Sequence, residues 1–150
     1  LKTFELIHYA KDKKPVIALA MSLAGVSTRI LSLASGAMLT FGSLRKGAES
    51  AAGQITASDL RNLYRIKQLN SDSEILGIIG YPVGHSRSPL MHNTVLSLHG
   101  LNAAYLPFEV QDAGEFITDF VRPQTKKFAW NFRGLSVTIP HKLAVIPYLD

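Results

Sequence analysis

The 150-residue sequence predicts an α/β fold. Short apolar runs alternate with amphipathic stretches along the whole chain, the pattern of strands exchanging with helices. Several runs are nearly continuous rather than alternating polar and apolar, as strands buried on both faces of a parallel sheet require. An apolar fraction of 47% against 18% charged leaves enough non-polar side chain to build a core.

Taken in order, residues 3–9 have the spacing of a helix end, and the lysine-rich 11–14 segment forms a polar turn. Residues 16–21 are predicted as a buried strand, residues 27–33 as a helix closed by Ser35-Gly36, and residues 38–41 as a second buried strand. A loop of small residues over 46–53 precedes a helix predicted from Ser58 to Leu69, with Asp59 in its first turn and one apolar face. Asn70-Ser-Asp-Ser73 is short and polar and reads as a linker between two domains, 1–70 and 75–150. A fresh strand begins at Ile75, followed by a helix over 89–99, a strand over 103–110, a helix over 113–121 and a strand over 132–139. Pro140 then stands where another helix would start.

The charge balance changes sign at the linker. Residues 1–70 hold ten Lys and Arg against four Asp and Glu, and residues 71–150 hold six against seven. The basic first part forms a solvated face or attracts small anions. Its cations are scattered and lack interleaved aromatic residues, which argues against nucleic acid. The uncharged runs 15–28 and 30–44 fall short of the roughly 20 residues that cross a bilayer, so no membrane partner is expected. With no cysteine there are neither disulfides nor thiolate metal sites, which fits a reducing cytoplasm. His85, His92 and His99 recur every seven residues, but seven helical residues span about 10.5 Å, too far for shared coordination, so no metal is expected. The first residue is Leu, and the sequence stops at Asp150 without a helix-capping signal, so more protein is expected on both sides.

Two stretches after the linker carry chemistry. In GIIGYPVGHSRSPLMHN, residues 77–93, a buried strand ends in a Gly and Pro turn and two serines precede a proline-led helix. Ser86 and Ser88 then stand where unpaired N–H groups and the helix dipole favour a carboxylate or phosphate. Equally, Ser88 could simply cap that helix, with Pro89 at its first position. In GLSVTIPHK, residues 134–142, a strand again leads to a proline, with Lys142 in the first helical turn. A cation disfavoured there could serve as an acid or base, or could reach water as an ordinary surface lysine.

With both stretches in hand, residues 75–150 resemble the substrate-binding part of the shikimate dehydrogenase family. The G-x-P-x-x-H-S-x-S-P element spans residues 80–89 and the V-T-x-P-x-K element residues 137–142. The resemblance implies that Ser86 and Ser88 bind the carboxylate of shikimate, that Thr138 contacts its ring hydroxyls, and that Lys142 is the catalytic lysine. It also implies hydride transfer between NADPH and 3-dehydroshikimate. No G-x-G-x-x-G turn occurs in these residues, so the NADP site and the aspartate paired with the lysine are expected beyond residue 150. Many members carry Asn where this sequence has Ser136, which leaves the role of Ser136 open.

Residues 1–70 resemble type I 3-dehydroquinate dehydratases in MSLAGVSTR (21–29), LTFG (39–42) and SAAGQI (50–55). The resemblance implies the last two strand–helix units of a (β/α)8 barrel, whose active site lies past the carboxyl ends of its strands. Arg29 would grip a substrate carboxylate, Ser50 and Gln54 would contact the substrate, and Met21 and Phe41 would form apolar walls. Without the resemblance, Arg29 could be a helix-surface residue and Ser50 and Gln54 loop solubilisers. Ala52 stands where members often have Pro, a change that could loosen the loop. The Schiff-base lysine and its histidine lie upstream in that family; Lys2, Lys11, Lys13, Lys14 and His8 have the wrong context. The expected whole is thus a bifunctional shikimate-pathway enzyme acting on small molecules, cytoplasmic or, if from a plant, plastidic. The alternative is a non-catalytic module that binds shikimate or another anion.

Overall fold

A computed structural model describes residues 2–122, 124, 128 and 130–149. The expectation about a missing cap at Asp150 lies outside them. The chain divides into two compact units, Leu1–Ser71 and Asp72–Asp150.

In the first unit, α1 (Lys2–Ala10) buries Phe4 and Ile7, spaced three apart on one helical face. A 3₁₀ turn, Leu23–Gly25, leads into α2 (Val26–Leu31). The strands expected at 16–21 and 38–41 form no ladder among the described residues. A backbone bond from Met38 N–H to the Val16 carbonyl joins them, and an isolated parallel bridge pairs Ser43 with Thr56. Nor are they buried as expected, since Ile17, Met21, Met38 and Phe41 are exposed; a ladder and a covered face both need neighbouring segments that an apolar run does not itself supply.

The helix expected over 58–69 is shorter. It closes as a π-helical turn, Asp59–Leu63, and Arg65 then takes a left-handed backbone with φ 50°. Its first turn is capped by Thr56, whose hydroxyl accepts from Asp59 N–H at 3.0 Å, rather than by Ser58. Tyr64 is buried behind it. Burial, reinforced by the nearby Asp59 carboxylate, pushes its hydroxyl up to about 12.

The second unit is built on a three-stranded parallel sheet in the order β2-β1-β3, with β1 Glu74–Gly80, β2 Ala103–Glu109 and β3 Asn131–Val137. Parallel neighbours need crossovers. Between β1 and β2 runs α3 (Ser88–Leu98); between β2 and β3 run α4 (Ala113–Phe116) and a π-helical extension, Ile117–Val121. Asp112 caps α4 by accepting from Glu115 N–H at 2.9 Å. The sheet therefore matches the predicted α/β class, and β1 is central and almost wholly buried.

Aromatic side chains of β2 cross β1 on both faces. Glycine at position 77 makes room on one face: a Cβ there would come within 2.6 Å of Phe108 Cε2. Phe108 thereby reaches Phe132 of β3, with ring centroids 5.8 Å apart, and Phe116 and Phe120 extend the cluster. On the other face Tyr105 packs with Ile78 and Val83, and its hydroxyl lies 2.9 Å from Ser136 Oγ on β3.

Helix α3 is pinned to β2 by Asn93, which is 1% exposed. Its side-chain amide donates to the Pro89 and Tyr105 carbonyls at 2.8 and 2.7 Å, and its oxygen accepts from Tyr105 N–H at 2.9 Å. The only tryptophan of the sequence, Trp130, belongs to this unit and is buried.

Two outcomes are expected. Asn93→Ala strands both Tyr105 backbone groups and lowers the stability of the second unit by about 2–4 kcal/mol, read from urea unfolding through Trp130 fluorescence. Tyr64 favours its neutral form in the folded state, so its contribution of about 2–3 kcal/mol is present below pH 10 and lost as pH rises towards 12. The urea midpoint of the first unit should fall over that window, and Tyr64→Phe should flatten the fall.

Candidate functional site

The carboxyl end of β1 organises the second unit's site. Its ladder with β3 runs to Ile79 opposite Val137. Beyond it, Thr138 N–H donates to the Ile79 carbonyl at 3.0 Å, and Tyr81 N–H to the Ile139 carbonyl at 3.0 Å. On the β2 side, Val110 N–H donates to the Gly80 carbonyl at 3.1 Å. The loops leaving β1 and β3 are therefore laced together at one end of the sheet, where the strand order turns back past β1. Parallel sheets hold ligands in such crevices.

Gly80 permits the close approach. A methyl group there would collide with Thr138 Cγ2 and lie 3.2 Å from the Ile139 carbonyl. Below the loops, Val83 fills the core and its N–H donates to a Glu109 carboxylate oxygen at 3.3 Å.

Ser86 and Ser88 are half-buried at the start of α3. Ser86, not Ser88, performs the capping: its hydroxyl accepts from Ser88 N–H at 3.2 Å, and Ser88 is the first helical residue. Thr138 is half-buried and Lys142 exposed. The helix expected at Pro140 does not form. Residues 139–145 make turns, with His141 N–H on the Thr138 carbonyl at 3.0 Å and Val145 N–H on the His141 carbonyl at 3.1 Å, before a 3₁₀ turn at Ile146–Tyr148. A helix dipole needs successive aligned peptides, so Lys142 is not opposed by one.

Asn93 and Tyr105 went unnoticed in the sequence, and His92 was weighed there only as a metal ligand. Asn93 sits mid-helix, where an amide is unfavourable unless it is bonded, and that misfit was its signal. Tyr105 lies in a buried run where its hydroxyl needed a partner; it reaches Ser136. His92 stacks on the Tyr105 ring with centroids 4.2 Å apart. Ser136 thus already accepts one hydrogen bond, and its own O–H is left to donate.

In the first unit, Arg29 is 4% exposed, so it is no surface residue, and burial lowers the pKa of its guanidinium. Its Nε has no hydrogen-bond partner among the described residues. Two hydroxyls fix the backbone around it. Thr28 Oγ1 donates to the Gly25 carbonyl at 2.6 Å and accepts from Ala20 N–H at 3.0 Å, while Thr40 Oγ1 donates to the Arg29 carbonyl at 2.9 Å.

Gln54 Oε1 accepts from Ser50 N–H at 2.8 Å and from its hydroxyl at 3.2 Å, which folds the small-residue loop on itself. That loop is tied to Ser22, whose N–H donates to the Ala52 carbonyl at 3.1 Å. Ser22 adopts φ 78°, and at Gly53, with φ +74°, a Cβ would strike the Ser22 carbonyl. The described bonds join Ser50 to Gln54 but neither to Arg29. Met21 and Phe41, at 74% and 53% exposed, present open apolar surface.

These features define a parallel α/β sheet whose β1 and β3 loops are bonded together at its carboxyl end, and a buried cation in the other unit. Residues 1–71 match the family described as type I 3-dehydroquinase, and residues 78–150 match the shikimate dehydrogenase substrate binding domain. A bifunctional 3-dehydroquinate dehydratase/shikimate dehydrogenase of Arabidopsis thaliana, described as chloroplastic, is 36% identical over 141 residues, which are 94% of this chain and 22% of that protein. A shikimate dehydrogenase (NADP(+)) of Halothermothrix orenii is 44% identical over 82 residues, covering 54% of this chain and 26% of the relative. The solved structure of dehydroquinate dehydratase and shikimate dehydrogenase from S. pombe is 29% identical, with TM-score 0.44, covering 99% of this chain and 26% of that one. The chain thus joins a segment matching type I 3-dehydroquinase to one matching the shikimate dehydrogenase substrate binding domain, and the bifunctional Arabidopsis relative aligns across both. It covers about a fifth of the length of the Arabidopsis relative.

Gly80→Ala should lower stability by about 1–3 kcal/mol, with amide chemical-shift changes concentrated at residues 137–141 rather than spread over α3.

Proposed function

We propose that the crevice between the β1 and β3 loops seats 3-dehydroshikimate and shikimate, within a protein that also dehydrates 3-dehydroquinate. The lacing of the two loops through Ile79, Tyr81, Thr138 and Ile139 carries this proposal, because it brings both motif stretches to one end of the sheet. Ser86 and Ser88 receive the substrate carboxylate at the start of an eleven-residue helix, aided by its unpaired N–H groups. Thr138 faces the ring hydroxyls. The Lys142 ammonium delivers a proton to the ketone oxygen on reduction and recovers it in the reverse direction.

NADP, when bound, supplies the hydride. Residues 1–150 contain no G-x-G-x-x-G turn of the kind that holds it. In the first unit, the buried Arg29 with an unpaired Nε suits a carboxylate of 3-dehydroquinate, Ser50 and Gln54 add contacts, and Met21 and Phe41 wall the site. The protein works in the cytoplasm, or in a plastid if its source is a plant.

Shikimate added to the 150-residue chain is expected to bind without NADPH-linked turnover; steady turnover by this chain alone contradicts the proposal. In the full-length protein, Lys142→Ala should lower kcat by about 10²- to 10⁴-fold with a smaller change in KM, whereas Ser86→Ala should chiefly raise KM. An unchanged kcat removes Lys142 from the chemistry.

A further inference from the structure

The residue before Lys142 is a histidine with an unusual position. Ile139 and Leu143 are 67% and 80% exposed and Pro140 and Lys142 are exposed, yet His141 is only 4% exposed. Its ring leaves the exposed loop and enters the interior. There Nε2 lies 2.6 Å from the carbonyl oxygen of Val110, the residue that follows β2.

β2 and β3 are not neighbours, since β1 runs between them. A single side chain therefore spans the end of the central strand and fastens the loop after β3 to the end of β2. Val110 is itself anchored, through its N–H, to the Gly80 carbonyl at 3.1 Å. A carbonyl oxygen only accepts, so Nε2 carries the proton. His141 also has both backbone groups engaged, its N–H with Thr138 and its carbonyl with Val145. With ring, N–H and carbonyl all fixed, the adjoining Cα of Lys142 is set at about 3.8 Å across one trans peptide. The lysine's own side chain is exposed.

We infer that His141 is a positioning residue: its buried ring, hydrogen-bonded to Val110 across β1, sets the point from which the Lys142 ammonium reaches the substrate. This rests on the role proposed above for Lys142 and adds a group that acts only through it. The Val110 carbonyl is the other half of the device. An error of about 1 Å in placing a catalytic group can cost about 10²-fold in rate.

The test uses the full-length protein and four variants. His141→Phe keeps ring volume but cannot donate; His141→Gln can offer an amide N–H near the place of Nε2. His141→Phe should lower kcat by about 10- to 100-fold while KM for 3-dehydroshikimate shifts less than about threefold. His141→Gln should recover at least half of that loss on a logarithmic scale. In a Lys142→Ala background, adding His141→Phe should cost less than about twofold more, because residues that act as one unit are not additive. The inference is overturned by a folded His141→Phe variant with unchanged kcat, by no recovery in His141→Gln, or by equal losses with and without Lys142. If Lys142→Ala alone leaves kcat unchanged, the proposed role of Lys142 fails first, and His141 then has nothing to position. Should His141→Phe not fold, ¹⁵N NMR of the unaltered protein decides instead: a proton on Nε2 supports the inference, and one on Nδ1 alone overturns it.

Discussion

The second unit depends on how the carboxyl end of β1 satisfies its backbone. Ile79, Gly80 and Tyr81 bond on one side to the loop after β3 and on the other to the residue after β2. Buried peptide groups cannot be left unpaired without a cost of about 1–3 kcal/mol each, so this short stretch forces three chain segments to meet. Everything proposed for catalysis stands on that meeting. The serines lie one turn beyond it on one loop, and the threonine, histidine and lysine lie on the other. The absence of a side chain at Gly80 lets the backbones close to this distance.

Side chains that bridge non-adjacent strands stiffen the same frame. Phe108 and Tyr105 cross β1 on opposite faces to reach β3, and His141 crosses its end in the reverse direction. Asn93 binds α3 to the strand that carries Tyr105. A small three-stranded sheet has little apolar area to spare, and polar ties that are fully bonded specify one arrangement where packing alone would tolerate several. The first unit shows the opposite economy. Arg29 is buried, and its Nε has no hydrogen-bond partner among the described residues, a state that carries a desolvation cost.

Much of this was legible in the residues. The continuous apolar character of residues 75–79 and 103–108 marks buried strands of a parallel sheet, because both faces of such strands are covered. Serines before a proline mark a helix start through their hydroxyls, although only the structure shows that Ser86 rather than Ser88 accepts the bond. The stretches at 16–21 and 38–41 read as strands for the same reason as 75–79, yet they lack a ladder, since hydrogen-bonding neighbours are not encoded in a run's own composition. The helices expected at 58–69 and after Pro140 misled in another way. Local spacing permitted them, but a left-handed residue at Arg65 ends the first, and the turn bonds of Thr138 and His141 replace the second.

The sequence by itself determined the α/β class, the change of character near residue 71 and the two chemically distinctive motif stretches, because periodicity, turn residues and charge are local properties. Only the tertiary structure decided that the two stretches share one end of a sheet, that Arg29 is buried, that Tyr105 meets Ser136 and that His141 turns inward to Val110. Those facts join residues about 10 to 60 positions apart, and such partners are chosen by strand order and packing rather than by any pattern along the chain.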